Sequence, residues 1–428
     1  MSSDWLKIGL GKNGADTKYH AGLDPVGLGG GGYIYGKMAA SMKQAEPPNP
    51  PPPAWWRRKR RELLELAANG HPLYVYDLAT VQSRARQLQH ELPAVDRFYY
   101  AMKANSRPEI LRTVAERGFG IECVSAAEVL AARSAAGSEA PLLFTPNFCP
   151  MDEYRIGFES GAEVIIDGPH VLDAAPDLFR GATVALRVDP GQGTGHHEKV
   201  RTAGAQTKFG QPVDDLGPYI EVTLRLGVKT VGLHAHVGSG VLDPGSWAAT
   251  GRVLIDQFSR FPGLSWVDLG GGLGVAERPG QQPLDLAALG IQLASLRPLL
   301  GTVKLRLEPG RFLVSDAGVL LAAVTQVRRK GALTYVGVTT GMNSLVRPAL
   351  YDAWHGIQNL TRLDDQPGPV VQVVGPICES ADVFGRDRSL PVTQPGDILL
   401  IENAGAYGAV MASRYNLREP AAEVVLTA

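Results

Sequence analysis

Cysteine is scarce in this chain, with three in 428 residues, at positions 123, 149 and 378. Thiols so far apart build neither a disulfide framework nor a zinc-knuckle spacing, and their small number fits a reducing cytosol. The sequence calls for no metal. Long hydrophobic runs are also missing: charge or glycine breaks every apolar stretch within about 8 residues, where a membrane span needs about 20. The first twenty residues lack a basic segment followed by an apolar one, so no secretion signal is expected there and a cytoplasmic location is. An excess of one charge is absent as well. Lys plus Arg number 42 against 43 Asp plus Glu, a formal net charge of -1. That balance argues against a whole-surface design for nucleic acid or anionic membrane.

Hydrophobic residues at 44% and charged residues at 20% are ordinary for a globular enzyme with a full core. Glycine (50) and proline (31) are abundant, so loops should be many. They concentrate in residues 1–53, which hold four consecutive glycines (29–32) and PPNPPPP at 47–53. This segment has little apolar surface to bury and is expected to be a flexible stretch ending in a stiff polyproline spacer. Next comes AWWRRKRRELLELAANG. Its basic run, Arg57 to Arg61, can be read as a nucleic-acid arm. The neutral balance elsewhere favours an amphipathic helix with a solvated basic face, docking through Leu63, Leu64 and Leu66. With the strand PLYVYD (72–77), residues 54–79 are expected to join a β domain from the far end of the chain.

From residue 80 to 313 short apolar runs alternate with helical patterns. The runs are RFYYAMK (97–103), GIECVS (120–125), LLFTP (142–146), EVIIDG (163–168), TVALRVD (183–189), TVGLHAHVG (230–238), WVDLGGG (266–272) and KLRLEPG (304–310). Eight such repeats predict a parallel (β/α)8 barrel, with an open doubly wound sheet as the weaker alternative. After residue 313 strand follows strand: VLLAAVTQV, LTYVGV, PVVQVVG, DILLIE and AEVVLTA. Residues 314–428 are therefore expected to be an all-β domain, a β-sandwich or β-barrel. The fold class is α/β plus all-β.

Barrel active sites lie at the C-terminal strand ends, and the polar residues there are unusual. The first strand ends in Lys103. The sixth carries His234 and His236 and runs into Gly238-Ser239-Gly240. The seventh runs into Gly270-Gly271-Gly272-Leu273-Gly274, and the eighth into Glu308-Pro309-Gly310-Arg311. Taken singly, each is a rim lysine, a structural histidine or a tight turn. Together they describe one ligand. Glycine-rich amides with Ser239 and Arg311 make a phosphate cradle. A rim lysine can bond an aldehyde, and Glu308 can pair with a protonated ring nitrogen. Phosphate, aldehyde and pyridinium partners together specify pyridoxal 5'-phosphate.

YYAMKAN (99–105), HAHVGSG (234–240), DLGGGLG (268–274), EPGR (308–311), GPICES (375–380) and NAGAYG (403–408) resemble the fold-type III pyridoxal-phosphate-dependent decarboxylases, in register over about residues 70–428. The resemblance implies an alanine-racemase-like barrel with a C-terminal β domain. GMNSLVRPALYDAWH (341–355), CESADVFGRDR (378–388) and ENAGAYGAVMASRYNLREPAAEVVL (402–426) are most similar to the diaminopimelate decarboxylases of that family. DPGQGTGHHEKVRTAGAQTKFG (189–210) resembles the version fused to an aspartate kinase in some bacteria.

By this resemblance Lys103 bonds the cofactor, Glu308 faces its ring nitrogen, and His236 stacks on its ring. Ser239, Gly271, Gly272, Arg311 and Tyr407 hold its phosphate. Cys378, contributed by the second subunit of a homodimer, returns a proton after carbon dioxide leaves. Glu379 accepts the distal ammonium of the substrate, and Tyr351 and Tyr407 help position it. The distal carboxylate needs a fixed cation. Arg347 is the candidate, with Arg311 as a second contact, because a guanidinium fork suits a carboxylate. Cys123 and Cys149 read as packing residues, and His234 receives no role. Two positions depart from the family pattern. Glu122 replaces an aspartate, and Ala126-Ala127 replace glycines, both near the expected cofactor edge.

The implied activity is that of a carboxy-lyase converting meso-2,6-diaminopimelate, a small amino-acid substrate, to L-lysine and carbon dioxide, the last step of lysine biosynthesis. The alternatives are a sister decarboxylase acting on arginine, ornithine, carboxynorspermidine or another amino acid, a non-catalytic regulator, and a racemase. The presence of Lys103 and Cys378 argues against the regulator, and Glu308 against the racemase.

Overall fold

The computed structural model describes residues 54–191, 204 and 207–427, all within the unit Pro53–Ala428. The glycine- and proline-rich segment 1–53 and most of the 189–210 motif lie outside the described residues. The strands are β1 (Leu73–Asp77), β2 (Arg97–Ala101), β3 (Gly120–Cys123), β4 (Leu142–Phe144), β5 (Glu163–Ile166), β6 (Thr183–Asp189), β7 (Gln211–Pro212), β8 (Lys229–His234), β9 (Trp266–Asp268), β10 (Lys304–Leu307), β11 (Gly318–Lys330), β12 (Leu333–Val338), β13 (Ile357–Asn359), β14 (Pro367–Val374), β15 (Val383–Pro391), β16 (Ile398–Ile401) and β17 (Ala422–Leu426).

Eight strands close into a ring in the order β2, β3, β4, β5, β6, β8, β9, β10 and back to β2, every pairing parallel. These are the eight runs expected from the sequence. Barrel strands are buried on both faces, so they read as nearly unbroken apolar stretches. Asp77, Ser125 and Asp285 cap helices Leu78–Glu91, Ala126–Ala136 and Leu286–Ala294 by accepting from the backbone N–H of Thr80, Glu128 and Ala288. Inside the ring, Tyr99, Leu143, Ile165, Ala185 and Trp266 form a cluster of their own, one residue from each of five strands. Gly232 lies against the Trp266 ring, where a Cβ would collide. With the interior plugged at this level, polar groups collect at the C-terminal strand ends.

The second sheet runs β13-β16-β11-β12-β14-β15, mostly antiparallel, and β1 extends it by pairing with β11 and β17. The strand ahead of the barrel thus joins the C-terminal β domain, as expected. The docking of the segment before it differs from expectation. Trp55, Trp56 and Leu63 are the buried anchors, packing with Leu73, Val75, Leu321 and Leu400, while Leu64 and Leu66 are only partly covered. The basic face is not all solvated. Lys59 pairs with Asp77 at 3.1 Å, and Arg60 donates to the carbonyls of Leu360 and Thr361, both at 2.8 Å. Two of the five basic residues therefore pin this segment to the sheet. Among the described residues, no helix is long and apolar enough to cross a membrane.

Candidate active site

Lys103 sits in the short turn Met102–Ala104 directly after β2. Its Nζ donates to both carboxylate oxygens of Glu122, at 3.0 and 2.9 Å. Glu122 comes from the neighbouring strand β3, where it pairs in register with Ala101, and it is fully buried. The Thr145 hydroxyl, just beyond β4, also donates to it. Burial by itself would lower the lysine's pKa. The carboxylates of Glu122 and Glu308 outweigh that effect and hold the ammonium well above its usual range.

Three adjacent strand ends bring His234, Asp268 and Glu308 together, with one nitrogen or oxygen atom of each lying within 4.8 Å of the others. They come from three different strands, so no sequence spacing could reveal the group. His234 Nε2 stands 3.3 Å from Glu308 Oε1, both side chains buried, but neither atom makes an aligned hydrogen bond. Burial and then Arg187 push His234 down to about 4, keeping it neutral. Burial and the charge of Glu122 raise Glu308. Burial and Glu308 push Asp268 up to about 8. The three groups thus form a buried cluster whose two carboxyls hold their protons more tightly than usual.

That cluster has a measurable signature. Asp268 in the folded protein keeps a proton that the unfolded chain loses above about pH 4. Its contribution to stability is therefore full below that value and lost as the pH rises towards about 8. Asp268→Asn keeps an oxygen to accept from the Gly270 N–H but cannot ionise. In urea unfolding of cofactor-free protein, it is expected to gain at least ~1 kcal/mol on the parent chain between pH 5 and 8. Parallel pH curves would show that no proton is held there.

The glycine run after β9 is shaped by close approach. A Cβ on Gly271 would strike the Glu308 carbonyl, and one on Gly272, at φ +92°, would strike the Gly238 carbonyl. The Trp247 indole fixes the loop by donating to the Gly271 carbonyl at 2.9 Å. The Gly271 N–H donates to His236 Nδ1 at 3.1 Å. That bond leaves the ring proton of neutral His236 on Nε2. Burial, then the Arg187 charge, holds His236 well below the usual histidine range.

Arg311, on the turn after β10, is buried. Its Nη2 donates to Ser239 Oγ at 3.1 Å, and its guanidinium lies 4.9 Å from the centre of the Tyr407 ring. Tyr407, at φ +56°, is tied to the lysine turn by its N–H, which donates to the Ala104 carbonyl at 2.8 Å. Arg347 is only 1% exposed. It meets His355 Nε2 at 3.1 Å through Nη1 and donates to Glu277 Oε1 at 2.7 Å through Nη2, with Arg311 Nη1 3.5 Å from the same oxygen. Glu277 is held below the ordinary carboxylate value because Arg347 and Arg311 outweigh its burial.

The structure thus gathers Lys103, His236, Ser239, Gly271, Gly272, Glu308, Arg311 and Tyr407 around the barrel mouth. Arg347 connects to them through Glu277, and Tyr351 lies on the same short helix, Arg347–Tyr351. Cys378 and Glu379 are exposed. The Cys378 N–H donates to Asn416, and the Tyr415 hydroxyl donates to Glu379 at 2.6 Å. Cys123 is buried against Met102, and Cys149 packs on the core. Sequence reasoning missed Arg187, Asp268 and Glu277 and gave His234 no role. Arg187 and Asp268 did carry a signal, each being a lone charge inside an apolar barrel run.

A family model described as "Pyridoxal-dependent decarboxylase, pyridoxal binding domain" matches residues 78–315. The chain belongs to this family. It is 35% identical to the diaminopimelate decarboxylase of Methanothermobacter thermautotrophicus, over 85% of this chain and 89% of that one. Among solved structures, a diaminopimelate decarboxylase aligns with a TM-score of 0.79 at 32% identity, covering 86% of this chain and 91% of that one. The Helicobacter pylori diaminopimelate decarboxylase, solved with L-lysine, aligns with a TM-score of 0.77 at 27% identity, covering 86% and 93%. Pyridoxal 5'-phosphate is the cofactor of this decarboxylase family, and the residues present fit it. Among the described residues, buried Glu308 Oε1 and Arg311 Nε have no hydrogen-bond partner, so each can serve a ligand. The glycine turn packs against the Glu308 and Gly238 carbonyls too closely for any side chain.

Proposed function

We propose that this decarboxylase removes carbon dioxide from meso-2,6-diaminopimelate to give L-lysine. The observation that carries the substrate assignment is the pair of buried guanidiniums, Arg311 and Arg347, joined through one carboxylate beside the barrel mouth. A fixed cationic pair suits a substrate whose far end bears a carboxylate, which ornithine and lysine lack there.

When bound, the cofactor supplies an aldehyde that condenses with amines and a ring that accepts the electron pair left by carbon dioxide. Lys103 Nζ is the amine that anchors it. Before bonding, that nitrogen must shed its protons, and Glu122, in contact through both oxygens, is placed to take one. Glu308 would face the ring nitrogen, and its carboxylate would keep that nitrogen protonated. His236 covers the ring. The Ser239 hydroxyl, Arg311, the Gly271–Gly272 turn and Tyr407 hold the phosphate. Tyr351 positions the substrate.

Cys378 and Glu379 are exposed in a single chain, and that exposure supports a homodimer in which each chain completes its partner's site. Cys378 Sγ then returns a proton to the carbon that lost its carboxylate, and Glu379 accepts the distal ammonium. The three cysteines are unpaired, which agrees with a cytoplasmic location.

Carbon dioxide release from meso-, LL- and DD-diaminopimelate, lysine, ornithine, arginine and carboxynorspermidine tests the assignment. Release from the meso isomer alone, with lysine formed in equal amount, is expected. Release from a plain diamine-type substrate would keep the cofactor site and overturn the distal-carboxylate argument. Silence across the panel with cofactor bound would favour a regulator.

A further inference from the structure

We infer that Glu277 is a specificity-determining residue, an internal carboxylate that occupies the Arg311–Arg347 pair and yields it only to a ligand bringing a carboxylate of its own. The inference rests on the proposed distal-carboxylate reading and deepens it. Arg347 is enclosed, with Nη1 on His355 and Nη2 on Glu277. His355 Nε2 accepts from Arg347 while its Nδ1–H donates to the Glu402 carbonyl at 2.8 Å, so the ring brings no negative charge. A substrate carboxylate therefore reaches Arg347 by taking the place of Glu277.

Charge decides which ligands can do so. Exchanging one carboxylate for another keeps the buried guanidiniums paired. A ligand ending in an amine or methyl group would leave both without a counter-charge, which is strongly unfavourable in a buried setting. Such a ligand leaves Glu277 in place, and the space for its far end stays filled.

The displaced side chain has a destination. Glu277 also lines a cavity of about 600 Å³ in which three guanidiniums, Arg278, Arg386 and Arg388, outnumber the two other carboxylates, Asp387 and Glu402. Arg388 lies 4.3 Å from the centre of the Trp354 ring, and its buried Nε has no hydrogen-bond partner. Glu277 itself sits between β9 and helix Leu286–Ala294, on a segment without regular secondary structure. It is tied there by its own N–H and that of Arg278, both donating to the Gln281 side chain at 2.9 and 3.2 Å. A second set of cations beside an irregular segment gives the carboxylate two places to stand.

The test compares the parent chain with Glu277→Gln, using pimelate, a seven-carbon dicarboxylate without amines, as the calorimetric probe on full-length protein. Pimelate is expected to bind Glu277→Gln about tenfold more tightly, and KM for meso-diaminopimelate is expected to fall. 1,5-Diaminopentane, with no carboxylate to exchange, should change less than twofold. Equal tightening of 1,5-diaminopentane, or unchanged pimelate binding, would overturn the exchange. A raised KM would make Glu277 a direct acceptor of the distal ammonium and would also overturn it. If Glu277→Gln fails to fold, Glu277→Asp, one methylene shorter, should shift pimelate binding in the same direction by less. Tighter pimelate binding without turnover of meso-diaminopimelate would defeat the proposed function alone. Turnover with unchanged pimelate binding would defeat this inference alone.

Discussion

Replacing Lys103 with alanine should cut carbon dioxide release by at least ~10³-fold and remove the visible absorbance of lysine-bound cofactor. An unchanged spectrum would remove Lys103 as the anchor. The same change strips Glu122 of its cation partner while Glu122 stays buried. Alanine should therefore also destabilise the cofactor-free protein. Lys103→Arg separates the two effects. A guanidinium still pairs with Glu122 but does not condense with an aldehyde, so activity falls while unfolding stays near that of the parent. Lys103→Ala is also half of a mixing experiment. If sites are shared across a two-fold interface, random pairing with Cys378→Ala chains should restore up to about a quarter of parental activity, since half of the dimers then carry one complete site. No recovery in confirmed mixed dimers would count against sharing.

Arg347→Leu should lower kcat/KM for meso-diaminopimelate by ~10³-fold or more, because a buried charged contact to a substrate group is lost outright. Binding of 1,5-diaminopentane, which has no carboxylate, should change far less. The substitution also leaves Glu277 with only the longer Arg311 contact. A stability loss of about 3 kcal/mol is expected in urea unfolding. Equal losses for both ligands would assign Arg347 to packing rather than recognition.

The eight barrel strands could be read from sequence because burial on both faces turns each into an apolar run. β13 and β15 could not. β15 contains Gly385, Arg386, Asp387 and Arg388, and only its irregular pairing with β14 makes it a strand. Site residues were legible where they sit on the turns that follow strands, as with Lys103, the Gly270–Gly272 run and Arg311. Pairings were not. Glu277 lies 70 residues from Arg347, and its contact depends on where a loop without periodic pattern is laid down. Glu122 was noticed only as a departure from the family pattern. Its partner, Lys103, is fixed by parallel register between neighbouring strands, which no local sequence window contains.

The pairing of β1 with β11 and β17 bears on the order of events during synthesis. β1 leaves the ribosome first, yet its neighbours begin at Gly318 and Ala422. Throughout translation of the barrel, the strand LYVYD and the two tryptophans ahead of it have no partner to cover them. They form an adhesive edge of the kind that draws chaperones or neighbouring nascent chains. β17 therefore seals β1, and loss of residues 422–426 would reopen that seam.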